Sequence, residues 1–405
     1  MSTTLQQALN AVNMADFASS FPEEWLTVSH EVNEDDLSFV PAVIRQYAEY
    51  CSLKEECIVS VEKMAGKIQN SPFLTVIFQN IFRAVFLSES SLLKNPWPDF
   101  QNIFGEQAPL CWLLIALGIV PHVQKLHQKH NVSEKVSRDT CCQIRCYCDN
   151  YEIGKKSYGI YLNQLRWLRC YMDDELLYLR FNRLEFMTRK NYLPCYVFQH
   201  KTSQKIITFN GCSMAFDQNG FALAGMDDPE TAFVSSFEMQ DNRVQGTTVD
   251  KQGRTSREIS KIFKDEWNLI LSPDMPVLDM HIPSGGGMTP EKVQQSLTEA
   301  KKFYMNLPDS SRHPVAVVCH SWIFNPNLPD FLPEQSNLCQ FLKRVYPVPV
   351  HSGKTDGLWF IYLHEGSFDL TKIPRISFLQ KSVAEYIEAG NRWRCGAMFL
   401  PIDQI

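Results

Sequence analysis

Apolar residues recur at helical spacing in the first part of this 405-residue chain. Residues three and four positions apart form two stripes, at Leu5, Leu9 and Val12 and at Phe73, Ile77, Ile81 and Val85. Such spacing places apolar side chains on one face of a helix. The most apolar run, APLCWLLIALGIVP at residues 108–121, is shorter than the roughly 20 residues that a membrane helix needs, so it predicts a buried core helix. We therefore predict a helical N-terminal domain at residues 1–150.

Strand and turn patterns replace the helical spacing in residues 151–405. The stretch AFDQNGFAL contains Asn219 and Gly220, the residue pair that a two-residue hairpin turn prefers. The stretch CYVFQHKTSQKIITF predicts a second hairpin, and TTVDKQGRTSREI predicts a strand that turns at Gly253 and leads into a helix.

The order of the last elements predicts an α+β domain at residues 151–405. A strand (VLDMHI) is followed by a glycine loop, a helix (PEKVQQSLTEAKKFYMNL), a strand (PVAVVCHSWIF) and a helix from Glu334 to Val345. YPVPV and LWFIYLH are predicted as terminal strands. Together with the preceding hairpins, these elements predict a mixed, mostly antiparallel sheet flanked by helices.

Three consecutive glycines stand between the strand VLDMHI and its helix. Glycine is favoured where backbone turns tightly or approaches a ligand closely. Thr289 followed by Pro290 predicts a helix N-cap beside the glycines, and the free N–H groups of a helix N-terminus bind phosphate. The sequence thus predicts a phosphate site at Ser284, Gly285, Gly286, Gly287, Met288 and Thr289. The alternative is a glycine-rich connection that is stabilised only by its cap.

Residues 282–287 match the Gly-x-Gly part of the pattern [Gln/Arg]-x-x-Gly-x-[Gly/Ala], with Ile282 at its first position. Together with NRLEF at residues 182–186 and CHSWIFNPNLPDFLPEQSNLCQFL, the chain resembles a divergent family of acyltransferase-domain proteins, in which a helical domain precedes a GNAT-like domain. The resemblance implies acetyl-CoA or another acyl-CoA as co-substrate. The resemblance leaves the acceptor open, and our hypothesis is an unidentified amine, either a small molecule or a protein.

In GNAT proteins the fourth and fifth strands splay apart and the pantetheine arm lies between them; the resemblance assigns VLDMHI and VAVVCHS to these strands. Alternation of side chains places Asp279 and His281 on one face of the first strand. We predict His281 or His320 as the general base, with Asp279 as its orienting group. The alternative is that each histidine bonds only to nearby backbone carbonyls.

Protonation of the departing CoA thiolate is assigned to Ser321 or Tyr346, and for Tyr346 a packing role is the alternative. Cys319 is either a buried thiol or a nucleophile. Lys301 and Lys302 either meet a CoA phosphate or form solvated surface at a helix end. Two other functions stay open: a non-catalytic module that keeps the fold and its ligand site, which Ile282 favours, and a hydrolase using Cys319 or Ser321 with His320.

The formal net charge of −6 argues against nucleic acid as a partner. The start of the chain lacks the pattern of a secretory signal, so we expect a cytoplasmic protein whose 13 cysteines are thiols. The segment 122–148 collects histidines and cysteines, which are zinc ligands, but it lacks paired C-x-x-C spacing. We therefore expect no metal there, and no membrane as a partner.

Overall fold

The backbone of this computed structural model separates into two compact units. The described residues are 3–29, 33, 35–88, 93–364 and 368–405. One unit comprises Met1–Arg180 with Pro283–Gly285, and the other comprises Phe181–Ile282 with Gly286–Ile405. The predicted boundary after residue 150 falls inside the helix Gln143–Lys155. Further helical structure follows this helix and ends at Met172.

The first unit is helical, as predicted. Its α-helices are α1 (Leu5–Ala11), α2 (Glu23–Thr27), α3 (Pro41–Tyr50), α4 (Glu55–Gln69), α5 (Pro72–Phe82), α6 (Gln101–Phe104), α7 (Ala108–Leu117), α8 (Val120–Lys129), α9 (Glu134–Cys141), α10 (Gln143–Lys155) and α11 (Leu162–Trp167). A π-helical turn, Arg83–Leu87, extends α5.

Helix α7 lies in the core of this unit, since most of its residues are buried. Among the residues that the structure describes, one helical run, Gln101–Lys129, is long and apolar enough to cross a membrane. However, 67% of its apolar window is buried inside the protein. A buried core helix of a globular unit meets the same criteria of length and composition. The run contains the buried helix that the sequence predicts at residues 108–121.

A buried polar chain connects three helices of the first unit. His127 of α8 is 1% exposed, and its Nδ1 lies 2.8 Å from Oγ of Ser137 in α9. The hydroxyl of Tyr50 in α3 donates to the same Oγ at 2.9 Å. Burial, and to a smaller extent the charge of His130, lower the pKa of His127 to about 4. His127 is therefore neutral in the folded protein near pH 7.

The strands lie in the second unit, except that Leu179 and Arg180 of the first strand belong to the first unit. They are β1 (Leu179–Phe181), β2 (Leu184–Lys190), β3 (Cys195–His200), β4 (Ile206–Asn210), β5 (Ala215–Phe216), β6 (Phe233–Val234), β7 (Phe237–Met239), β8 (Arg243–Val249), β9 (Thr255–Phe263), β10 (Trp267–Leu271), β11 (Pro276–His281), β12 (Ala316–Ser321), β13 (Tyr346–Val348) and β14 (Gly396–Pro401). Its helices are α12 (Pro290–Tyr304), α13 (Leu328–Phe331), α14 (Asn337–Arg344), α15 (Leu358–Tyr362) and α16 (Phe378–Glu388).

Two six-stranded sheets organise this unit. The first has the order β1-β2-β11-β12-β14-β13, and the second has β10-β3-β4-β8-β7 with β9 paired to β8. The ladder between β11 and β12 is parallel, whereas β11 pairs antiparallel with β2 and β12 pairs antiparallel with β14. The predicted α+β fold with a mixed, mostly antiparallel sheet is confirmed.

The first sheet is covered on both faces. Val197 of β3 and Val277 and Val318 of the first sheet belong to one buried apolar cluster that joins the two sheets. Helix α12 packs over β2, and the hydroxyl of its Tyr304 donates to the carbonyl of Phe186 at 2.8 Å. The central strands β11 and β12 are therefore held by apolar packing along most of their length.

Both predicted hairpins form, and one has a different turn. β3 and β4 pair antiparallel, as the pattern predicts. At the other hairpin Asp217 N–H donates to the carbonyl of Phe221, so three residues rather than two form the loop. Gly220 takes φ +84° there, which fits a type I turn followed by a left-handed glycine.

Two predicted elements are wrong, and one strand was missed. Residues 255–263, predicted as the start of a helix, form β9, which pairs with β8 alone and therefore lacks the alternating burial of a strand covered on one face. LWFIYLH forms α15 rather than a strand, because a short apolar run fits either structure. The last strand, β14, was not predicted, since it is buried on both faces and shows no period.

We predict that the first unit loses stability in mild acid because of His127. The unfolded chain binds a proton at this histidine below its ordinary pKa of 6.5, whereas the folded chain does so only near 4. The stabilisation is complete above pH 6.5 and falls by at most about 3 kcal/mol as the pH decreases to 4. Urea unfolding of wild type and His127→Gln between pH 7 and 4.5 measures this. Equal pH dependence in both proteins would contradict the assignment.

Candidate functional site

The central feature of the candidate site is a gap between two neighbouring parallel strands. β11 and β12 pair as far as Asp279 and Val318, and their ladder ends there. Both strands nevertheless continue, β11 to His281 and β12 to Ser321. β11 stays paired with β2, and β12 stays paired with β14, to their last residues. Each strand therefore keeps its outer neighbour while the two separate from each other, as predicted for these strands.

The polar residues at this gap lie on one face of the sheet. Register partners in adjacent strands share a face, so Asp279 lies on the same face as Val318. His281 and His320, each two residues further along, lie on that face too. The sequence placed the two histidines on separate strands, and the structure brings them to the same end of the gap.

Asp279 is the buried centre of this polar group, with 2% exposure. Nη1 of Arg189 lies 3.0 Å from its Oδ2, the hydroxyl of Tyr192 donates to Oδ1 at 3.1 Å, and Nε2 of His281 lies 3.5 Å from Oδ2. Burial raises the pKa of this carboxyl, but His281 and Arg189 more than offset it, so the pKa is lowered overall. Asp279 is thus ionised and lies beside the ring of His281.

His320 occupies the other side of the gap and is exposed. Partial removal of its ring from water lowers its pKa, which the carboxylates of Asp279 and Asp356 oppose. Since the pKa lies below the ordinary value, the imidazole is neutral at pH 7. It can therefore accept a proton.

Three further predicted residues differ in their surroundings. Cys319 is 3% exposed and burial raises its pKa well above the ordinary value, so it is a thiol and not a ready nucleophile. Ser321 accepts from the N–H of Ile323 at 3.3 Å and caps a short 3₁₀ helix. The ring of Tyr346 stacks on Phe399 with centroids 5.0 Å apart, as its packing alternative proposed.

Tyr346 also lies far from the gap across the sheet. Met187, Asp279, Val318, Phe399 and Tyr346 are register partners across five strands. Three strand spacings separate Asp279 from Tyr346, which is about 14 Å. Ser321 is therefore the nearer of the two predicted proton donors across the sheet, and as the neighbour of His320 in an extended strand it lies on the opposite face.

The glycine loop follows directly from the end of β11. Gly285, Gly286 and Gly287 have φ of +76°, +74° and +66°, a left-handed region that other residues avoid. Residues 284–287 are exposed. Within the described part of the chain, no backbone N–H from Ser284 to Met288 donates a hydrogen bond. The loop therefore offers several donors to a ligand.

Two side chains orient these N–H donors by binding the carbonyl groups of the same loop. Nε of Arg183 donates to the carbonyl of Gly287 at 2.5 Å, and Nζ of Lys292 donates to the carbonyl of Gly286 at 3.2 Å. In a trans peptide the N–H points opposite to the C=O. The N–H groups of Met288 and Gly287 therefore point away from these two side chains.

Arg183 is a residue that sequence reasoning missed. It is 8% exposed, and a Cβ added to Gly286 would lie 3.4 Å from its Cδ. The motif NRLEF contains it, but nothing in the motif indicates a contact with a loop about one hundred residues later. Arg189 and Tyr192 were missed for the same reason.

The loop ends at the predicted helix cap. Oγ1 of Thr289 accepts from the N–H of Lys292 at 3.5 Å, and Pro290 is the first residue of α12. Lys301 and Lys302 lie in the last turn of that helix, roughly 16 Å along its axis from Pro290. Nζ of Lys301 donates to the carbonyl of Ile405 at 3.1 Å, so this pair lies away from the loop.

The histidines and cysteines of the segment 122–148 lie on α8, α9 and α10 or at the ends of these helices. Among the described residues, no three metal-ligating side chains come together in a metal site. The cysteines there include Cys148, whose Sγ lies 3.8 Å from that of Cys57 in a buried contact.

A family model described as GNAT-like C-terminal domain matches residues 178–400. A comparison with curated proteins finds no match. The chain is similar in structure to an acyltransferase solved in complex with decanoyl-CoA and teicoplanin, with 15% identity, coverage of 99% of this chain and 100% of that chain, and a TM-score of 0.60.

Two related solved structures give similar values. One is an acyltransferase in complex with CoA and 10C-teicoplanin, with 15% identity, 99% and 100% coverage, and a TM-score of 0.61. The other is an acyltransferase mutant in complex with octanoyl-CoA, with 14% identity, 98% and 99% coverage, and a TM-score of 0.60. At these sequence identities, the similarity shows that this chain and the three acyltransferase structures have the same fold.

We predict that Arg183→Met destabilises the second unit by about 1–3 kcal/mol, because the partly buried hydrogen bond from its charged guanidinium to the carbonyl of Gly287 is lost. Lys292→Met is the matched control, since it removes an exposed donor to the neighbouring carbonyl and should change stability by less than about 0.5 kcal/mol. Guanidinium unfolding of both variants measures the difference. An equal effect of the two substitutions would contradict a structural role for Arg183.

Proposed function

Because the chain belongs to the family with a GNAT-like C-terminal domain, we propose that it transfers an acyl group from acyl-CoA to an amine. One observation carries the proposal. The gap between β11 and β12 and the glycine loop are consecutive in the chain, so a ligand with a phosphate end and an extended arm fits both.

The glycine loop supplies the phosphate-binding part of this site. Its N–H groups precede α12, whose N-terminus carries the positive end of the helix dipole. We assign the pyrophosphate of CoA to the segment 284–289. Ile282 stands where the family pattern has Gln or Arg, so here backbone N–H groups oriented by Arg183 and Lys292 bind the phosphates.

The parted strands supply the binding site for the pantetheine arm. A strand edge without a neighbour presents free N–H and C=O groups, and the arm contains two amides that match them. The gap between the last residues of β11 and β12 exposes such edges. The thioester would then lie close to Asp279, His281 and His320.

The transfer needs one base and one acid. The amine nitrogen attacks the thioester carbonyl, its proton passes to a histidine, the C–S bond breaks, and the thiolate takes a proton to leave as CoA. We assign His320 as the base, because its lowered pKa keeps it neutral. His281, held by Asp279, is the second candidate base, and Ser321 is the candidate acid.

The structural neighbours support acyl-CoA as co-substrate. These proteins are acyltransferases, and their structures contain decanoyl-CoA, octanoyl-CoA or CoA. In two of them teicoplanin or its 10C derivative is also bound. We propose the same donor class for this chain and an amine of its own as acceptor. We also propose a cytoplasmic location, since all 13 cysteines are free thiols.

A non-catalytic CoA-binding module is the second candidate function, and Ile282 in the loop favours it. Turnover separates the two functions. An enzyme releases free thiol from acyl-CoA in the presence of an amine, whereas a binding module is stabilised by CoA without such release.

We expect CoA to raise the unfolding temperature of the wild-type protein, and Gly287→Asp to abolish that rise. A ligand that binds only the folded state stabilises it by about 2.7 kcal/mol at one hundred times its Kd. A carboxylate at this position repels the phosphates. A side chain there meets no atom within 4 Å.

Gly287→Asn is the control for that measurement. It has the same size as aspartate and tolerates φ of +66° equally well, but it carries no charge. Its CoA response should stay closer to that of wild type. No stabilisation of the wild type by millimolar CoA, or equal loss in both variants, would contradict phosphate binding at the glycines.

We predict that His320→Gln lowers the rate of acyl transfer by about 10²–10⁴-fold, because a general base contributes that much. In the wild type the rate should rise with pH through a pKa below 6.5, the ordinary histidine value, since only the neutral imidazole accepts a proton. His281→Gln and the double variant test the second base. Unchanged turnover in the double variant would exclude both histidines.

A further inference from the structure

A polar cavity of about 410 Å³ lies in the second unit, and the assignments above do not use it. This volume falls in the range of small-molecule sites. Its charged and amide side chains come from separate stretches of the chain: Asp217, Glu230, Asn327, Lys354, Arg392 and Arg394. Ionisable groups of both signs therefore line one concave surface.

Arg392 has hydrogen-bonding capacity that the protein does not use. Its side chain is 7% exposed, and Nη2 lies 2.6 Å from the carboxylate of Asp228. Nη1 lies 3.3 Å from the carboxylate of Glu230 without hydrogen-bond geometry. In the described part of the chain, Nε and Nη1 are buried and donate no hydrogen bond. A guanidinium stays charged and keeps all of its N–H donors, so an acceptor is missing here.

Arg394 shows the opposite situation. Its Nη2 donates to Asp217 at 2.6 Å, its Nη1 to the side chain of Asn327 at 3.3 Å and its Nε to the carbonyl of Ala222 at 3.4 Å. Its guanidinium also lies 5.2 Å from the ring centroid of Phe221. Arg394 therefore shapes the wall of the cavity, whereas Arg392 is the cation with donors left for a ligand.

The charges of the cavity suit a zwitterion. Three cations and two carboxylates line it, and Asp228 lies behind Arg392. The three cations and three carboxylates balance, so a ligand without net charge matches this arrangement, whereas a doubly charged phosphate would also face the carboxylates of Asp217 and Glu230. Those carboxylates favour a positive group on the same ligand. A ligand with one carboxylate and one ammonium group meets both requirements.

The cavity also lies near the end of β12 at which the strands part. Arg394 precedes Gly396 by two residues, and Gly396 is the register partner of Ser321. The Cα atoms of Arg394 and Ser321 are therefore at most about 13 Å apart. An extended tripeptide spans roughly 10 Å, so a ligand of that length placed in the cavity could reach the vicinity of Ser321.

We propose that this cavity binds the carboxylate end of the acyl acceptor, and that the acceptor is a peptide-like or amino-acid-like amine. This assignment rests on the proposed acyl transfer. Nε and Nη1 of Arg392 bind the carboxylate, and Lys354 at the exposed rim contributes a second positive charge. The amine end extends toward the gap between β11 and β12.

Triglycine and its C-terminal amide are the probes for this site, because they differ only in the carboxylate. Isothermal titration should show triglycine binding to the wild-type protein at least ten times more tightly than the amide. Arg392→Gln should remove that difference. Asn391→Trp fills the cavity from an exposed position without changing Arg392, and it should abolish binding of both probes while leaving the CoA-induced rise in unfolding temperature unchanged.

Several results would overturn the assignment: no binding of triglycine, equal binding of the two probes, tighter binding of inorganic phosphate, or unchanged triglycine binding by Asn391→Trp. If Arg392→Gln does not fold, Lys354→Gln and Asn391→Trp still decide the outcome, since both residues are exposed. If triglycine binds but CoA does not stabilise the protein, the proposed acyl transfer and the acceptor role are both contradicted. The cavity is then a carboxylate-binding site only. If CoA raises the unfolding temperature but triglycine does not bind, only the assignment of the cavity is contradicted.

Discussion

Two neighbouring strands can part inside a sheet only if each keeps its hydrogen bonds on the other side, because buried backbone groups without partners are costly. β11 and β12 meet this condition. β2 accompanies β11 to His281, and β14 accompanies β12 to Ser321, so both strands stay ordered beyond the last pair they share. The gap is therefore a stable feature of the sheet. It leaves strand edges available for a ligand next to ionisable side chains.

The glycine loop depends on the same strand. β11 ends at the gap and the chain must turn at once into α12, which is packed over β2 through Tyr304. Three left-handed glycines make this turn, and Arg183 and Lys292 hold its carbonyls, so the N–H groups are presented outward. The features that would bind the arm and the phosphates of one CoA molecule are thus consecutive in the chain. This continuity is a physical reason for assigning both to a single ligand.

Much of this arrangement was predictable from local signals. The strand, the glycines, the cap at Thr289 and the following helix each have a pattern within a few residues, and the resemblance to GNAT proteins placed them in order. Elements whose character comes from distant partners were missed or wrong, as with β9, which has one neighbour, and β14, which is buried on both faces. Arg183 and Arg392 acquire their contacts only in the folded chain, through residues more than one hundred positions away.

The most direct test of a CoA site between β11 and β12 is a crystal structure of the protein with CoA. We expect the pyrophosphate within hydrogen-bond distance of the N–H groups of residues 284–288, and the pantetheine arm between the two strands beyond Asp279 and Val318. The side chain of His320 should then lie near the sulfur. CoA bound elsewhere, or a gap closed by continued pairing of the two strands, would contradict the central claim.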